Sequence, residues 1–223
     1  TERPFVAREY ANGTYTAGSY WCARCVVCFG VCTLVGLLTT PIWYFLIGIT
    51  MGPQLLTIMI ASILAAFAFT TYANIVGALS STPIAAANFA EPLLTAMLLL
   101  NGIMITRHKI KSLFYPFYLI NPQSWLCYII VEAVTHGHPR GDHVMDYFQY
   151  EKGQIGASFC ALLAIDAGAV LLGWAVLTHA FAAEVDGSEL SVVEKVATCG
   201  IADDAEDDLK HPREEDGEVC LPV

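Results

Sequence analysis

The sequence predicts an all-α fold, a polytopic membrane bundle of four transmembrane helices. Three observations carry that expectation. The chain of 223 residues is 56% hydrophobic and only 14% charged, where a soluble domain carries about 25% charge and about 45–50% apolar residues. Four apolar stretches, 20–49, 53–79, 83–106 and 154–181, each reach the ~20 residues that a helix needs to cross a bilayer at ~1.5 Å rise per residue. Within them the only acids or strong bases are Arg24, Glu91 and Asp166. Backbone groups in lipid must find their partners internally, so these stretches are expected as helices.

Taken in order, residues 1–18 read by themselves as an interfacial amphipathic helix with solvated charges. The first three spans follow closely. Thr50-Met51-Gly52-Pro53 and Ser80-Ser81-Thr82-Pro83 are short breaks, each ending in a proline that suits the first turn of a new helix. They predict tight antiparallel hairpins. Small residues line the spans, among them Gly30, Gly36, Ala61, Ala65, Ala66, Ala68 and Ala85. Such residues let helices approach where lipid removes the hydrophobic drive to associate.

Residues 107–153 form the one long connection. They are rich in Tyr, Phe and Trp, which favour the membrane–water boundary. Asn121-Pro122 reads as the cap and first turn of a short helix over 122–135. The connection is expected to fold back onto the bilayer face as a re-entrant region, before a last span to 181. Residues 182–223 form the tail. From 184 on it holds thirteen Asp and Glu against Lys195, Lys210 and Arg213, which by itself accounts for the net charge of −10. The tail is expected to be disordered, and no nucleic-acid partner is expected for the neutral body.

Four spans place both termini on one side, but charge does not say which. Arg3, Arg8, Arg24 and the three tail bases lie on the terminal side; Arg107, Lys109, Lys111, Arg140 and Lys152 lie on the other. The positive-inside rule is nearly silent on six against five. The chain opens at Thr1 with no leader before the first apolar run, so it is expected to be part of a longer protein.

Cys22, Cys25, Cys28 and Cys32 have the C-x2-C-x2-C-x3-C spacing of bacterial iron–sulfur proteins. They sit in the first apolar stretch, however. At ~100° per residue they share one helix face but spread over about 15 Å, too far to close on one cluster. The expected role is small, polarizable packing at a helix seam. A disulfide through Cys127 is left open, with no partner singled out. His136-Gly137-His138 with Asp142 and His143 is too loosely spaced for a metal site and reads as a polar loop tip. Haem, metal and resident cofactors are not expected in this chain.

Residues 1–35 carry Glu2-Arg3, Arg8-Glu9-Tyr10, Gly13, Tyr15, Ser19-Tyr20 and a basic residue at Arg24. This pattern resembles the segment before the third membrane helix of G-subfamily ABC transporters, the white/pigment and sterol or drug exporter group. The order that follows is similar too: three linked spans, Asn101-Gly102-Ile103-Met104 where the family has Ser-Gly and two aliphatics, an aromatic outer loop, Asn121-Pro122 like the family's Ser-Pro, and a last span. The likeness covers about residues 1–181. Ser124-Trp125-Leu126 departs from the family's Arg-Tyr-Gly, and Glu91 stands where the family is apolar or hydroxylic. No G-x-x-x-x-G-K-[ST] phosphate loop occurs in the chain.

The resemblance implies the second part of the membrane domain of an ATP-driven exporter of lipid-like or amphipathic substrates. ATP and Mg would be bound by a nucleotide-binding domain, fused upstream or separate, and the exporter would work as a homo- or heterodimer with a second half-transporter. Residues 1–18 become a cytoplasmic coupling helix, with Arg3, Arg8, Glu9 and Tyr10 meeting that domain, and the amino terminus and acidic tail are cytoplasmic. The third span lines a substrate cavity with Glu91, Leu94, Thr95 and Leu98, and ends in an apolar plug at Ile103 and Met104. Glu91 and Asp166 are acids inside spans without a basic partner there, and at least one is expected to be protonated at neutral pH. The rival expectation is a stand-alone four-span scaffold or regulatory protein.

Overall fold

The computed structural model describes residues 15–47, 52–80, 82–110, 112–136 and 140–206, with backbone alone for 108 and 181–206. Seven α-helices run through the described residues: α1 Ala17–Leu46, α2 Pro53–Leu79, α3 Pro83–Leu99, α4 Tyr115–Ile120, α5 Pro122–Thr135, α6 Gly141–Phe148 and α7 Ile155–Glu206. Two 3-10 turns, Arg107–Lys109 and Ser112–Phe114, lie between α3 and α4. The chain divides into two units, Thr1–Phe181 and Ala182–Val223.

Among the described residues, three helices are long and apolar enough to cross a membrane: Ala17–Leu46, Pro53–Leu79 and the Ile155–Ala180 part of α7. The chain is an integral membrane helical bundle. The expected third span is shorter than the sequence suggests. It stops at Leu99, not 106, leaving 17 residues, about 25 Å of helix against a hydrocarbon core of about 30 Å. The cause is local. The Asn101 side chain accepts hydrogen bonds from the backbone N–H groups of Ile103 and Met104, at 2.9 and 3.0 Å, and Gly102 turns to φ +86°. An asparagine that satisfies the backbone two and three residues on competes with the helix.

The helix starts follow the sequence. Thr16 caps α1, accepting from Ser19 N–H at 3.3 Å, and Thr82 caps α3, accepting from Ala85 N–H at 3.2 Å. Pro53 and Pro83 take first-turn positions, and α5 spans 122–135 as expected. In the tail, backbone 182–206 is helical, and 207–223 lie outside the described residues. Residues 182–206 are rich in Ala, Glu and Val and contain no proline, the strongest helix breaker.

Small residues bring the helices together. Ala61, Ala65 and Ala68 of α2 are wholly or almost wholly buried. A Cβ on Gly36 of α1 would come within 2.5 Å of Ile63 Cγ1. One apolar cluster joins Ala17 and Trp21 of α1 to Ile75 of α2 and Leu177 of α7. A second, nearer the other end of these helices, joins Ala61 and Ala65 to Tyr128, Ile129, Met145, Tyr150 and Leu162. Helix α5 is thus packed into the bundle against α2 and α7. A third cluster, Tyr44, Ile58 and Ala133, closes α1 and α2 over the end of α5.

The cysteines of α1 lie along this framework. Cys28 accepts from Asn74 Nδ2 at 3.5 Å, and Cys32 Sγ lies 3.4 Å from Thr70 Oγ1, both across the α1–α2 seam. Cys22 is exposed. Asn74 also takes two hydrogen bonds from the Arg24 guanidinium, at 3.1 and 3.2 Å. Cys127 is buried as a free thiol.

Candidate functional site: the face of α3 and its anchor

Helix α3 differs from its neighbours. Among the described residues of the helix, none is buried. Glu91, Leu94, Thr95 and Leu98 fall on one face by helical spacing, and all four are exposed, Leu94 by 44% and Leu98 by 56%. Thr95 Oγ1 donates back to the Glu91 carbonyl at 2.9 Å. That bond spends the hydroxyl hydrogen but leaves oxygen lone pairs on the open face. Pro92 sits inside the helix, where it removes one backbone donor. Ile103 and Met104 follow in the Asn101 turn, 42% and 74% exposed. The structure therefore groups the predicted cavity residues on one open face, with the two predicted plug residues beyond its end.

Asp166 belongs elsewhere. It lies on α7, 6% exposed, and neither carboxyl oxygen has a hydrogen-bond partner. Arg3, Arg8, Glu9 and Tyr10 lie outside the described residues.

The sequence marked Asn121 as the cap of α5 but not as a group that holds the far end of α3. Asn121, 1% exposed, donates from Nδ2 to the Met97 carbonyl at 2.7 Å and accepts from Gln123 N–H at Oδ1, at 3.1 Å. Ser124 Oγ lies 2.7 Å from both the Tyr118 and Asn121 carbonyls. Tyr72 Oη donates to the Ile120 carbonyl at 3.1 Å. The Asn-Gly and Asn-Pro pairs were the available signals: each marks a turn or cap, but neither names its distant partner.

Glu132 was also missed. It is 7% exposed, accepts from Gly153 N–H through Oε1, and its Oε2 has no partner. It borders a cleft of about 490 Å³ together with His136, Asp142 and Lys152. Lys152 Nζ pairs with Asp142 Oδ1 at 2.8 Å. The pair holds the Asp142 carboxyl below its usual range and raises the Lys152 ammonium. His138 lies outside the described residues, and among those described no three His, Cys, Asp or Glu are placed to hold a metal ion. Burial pushes the Cys127 thiol up to about 11 and raises the Tyr118, Tyr128 and Tyr150 hydroxyls. None of these groups ionises near neutrality.

Three long apolar helices, and a fourth, shorter one that buries none of its described residues, define a helical membrane protein. Residues 1–134 match the ABC-2 type transporter family, and the chain belongs to that family. It is the transmembrane part of an ABC-type transporter, a class in which the membrane domain pairs with an ABC nucleotide-binding domain. A search of curated proteins found no match.

Proposed function

We propose that the chain supplies the second part of the membrane domain of a G-subfamily-like exporter. The observation that carries this reading is the face of α3. A helix that buries nothing in its own chain, yet bears Glu91 nine positions into a 17-residue apolar helix, needs a partner or a wet cavity. A carboxyl against lipid tails is costly, and acids in spans usually face a bundle interior or water. Two copies, or this chain and a second half-transporter, would set their α3 faces across a shared cavity. Glu91 and Thr95 would supply its polar contacts and Leu94 and Leu98 its apolar wall, and Ile103 and Met104 would close it.

The cargo is lipid-like or amphipathic, which suits a wall of leucines interrupted by a carboxyl and a hydroxyl. ATP and Mg are bound by the nucleotide-binding domain, against which Arg3, Arg8, Glu9 and Tyr10 form the coupling contact. The amino terminus and the acidic tail are then cytoplasmic, and the 107–153 region lies on the outer side.

The test is efflux by the full-length transporter carrying Glu91→Gln or Leu98→Ala, over a panel of amphipathic compounds. Altered selectivity in either variant is expected. Unchanged transport and selectivity in both would remove α3 from the path and favour a scaffold.

A further inference from the structure

Helix α3 buries nothing along its length, so what fixes its far end matters. Its last carbonyls have no partner within the helix. Asn121 satisfies one of them, Met97, and with the other end of the same amide caps the first turn of α5. One buried side chain thus closes the end of one helix and the start of another. Its two ends are chemically distinct: a flipped amide would set oxygen against the Met97 carbonyl and NH2 against the Gln123 N–H. The Tyr72 bond to the Ile120 carbonyl and the Ser124 contacts hold the residues around Asn121 to α2 and α5. Beyond Met97, Asn101 fixes the Ile103 and Met104 amides. The turn from Asn101 to Met104 is thus closed on itself, and Met97 just before it is tied to Asn121.

We propose that Asn121 is a positioning residue that ties the end of α3, and the Ile103–Met104 turn behind it, to α5. The apolar closure and the α4–α5 segment then move as one piece. The significance for transport rests on the reading of α3 given above, but the mechanical link does not.

Asn121→Asp separates the two ends of the amide. Aspartate caps a helix as well as asparagine does, so the Gln123 bond survives, but a carboxylate has no donor for Met97. Asn121→Ser, a competent cap too short to reach Met97, is the second variant. Hydrogen exchange is measured on the purified full-length protein. The amides of 97–104 are expected to exchange about tenfold faster in both variants, as befits one lost buried hydrogen bond, while 122–135 stay as protected as in the parent. No change in 97–104, or equal acceleration in both segments, would overturn the proposal. In reconstituted vesicles, substrate moved per ATP hydrolysed should fall in Asn121→Asp; an unchanged ratio would overturn the joint movement. A parent protein that moves no amphipathic substrate would sink the exporter reading, while the exchange result would still decide the link.

Discussion

Trp21 of α1 lies over Gly173 of α7 so closely that a Cβ on the glycine would come within 2.1 Å of Trp21 Cζ2, and the indole N–H donates to the Val170 carbonyl at 2.9 Å. The glycine is required by the ring. Gly173→Ala should lower stability by about 1–3 kcal/mol, the usual cost of overpacking. Trp21→Leu in the same chain should recover part of that loss, because contacting residues are not additive. Thermal unfolding in detergent measures both; strict additivity would mean that the two residues do not touch.

Gly102 and Tyr150 make a sharper pair. Gly102 sits at φ +86° with Tyr150 Oη 2.7 Å from where a Cβ would be, and that hydroxyl is buried without a partner. Tyr150→Phe should be neutral or stabilising, since it removes an unsatisfied group. Gly102→Ala should cost about 1–2 kcal/mol for the left-handed backbone alone, so Tyr150→Phe should not fully rescue it. Complete rescue would show that the clash, not φ, requires glycine.

Asp166 is buried with both oxygens unpartnered. Asp166→Leu should raise the unfolding temperature, by about 1–3 kcal/mol in stability for a removed unsatisfied group. A fall in stability would mean that the carboxyl has a partner in the native membrane assembly. Lost transport at raised stability would instead mark Asp166 as retained for function.

Cys127 should resist iodoacetamide in the folded protein at pH 8 and react once denatured. Its thiol is buried and pushed up to about 11, so only about one molecule in a thousand carries the reactive thiolate at that pH. Mass mapping of the alkylated protein reads this directly. Ready labelling of the folded protein would show that α5 does not cover it.

The Asp142–Lys152 pair predicts an acid-sensitive loop. The Asp142 carboxyl is depressed in the folded protein, so its contribution is present above the ordinary carboxylate value and is lost as pH falls through the lowered one. The Lys152 and Asp142 side chains are well exposed, 57% and 79% respectively, so the effect is small and screened by salt. Proteolysis between α6 and α7 should rise below about pH 4, and Asp142→Asn should raise it already at neutral pH. Equal cleavage of parent and variant at pH 7 would remove the pair's role.

What the sequence revealed follows from the range of each signal. The starts of α2, α3 and α5 were legible because proline and a capping Thr or Asn act within one turn. The α1–α2 seam was legible through its small residues. The end of α3 was not, since hydropathy continues past Leu99 to Ile103 and Met104 and only the Asn101 side-chain geometry stops the helix. The Asn121–Met97 bond spans 24 residues, and Glu132 reaches across 21 to Gly153. Such contacts appear only when the chain is folded. The face of α3 was read from the family resemblance together with helical spacing, and its openness emerged from what the other helices leave uncovered.

The most direct test of the central claim is photo-crosslinking from position 98 on the α3 face in native membranes, with position 26 on the exposed surface of α1 as control. A protein adduct is expected from position 98, about twice the parent mass for a second copy or larger for a different half-transporter, and lipid adducts alone from position 26. Lipid adducts alone from position 98 would contradict it, because α3 would then face the bilayer and line no shared cavity.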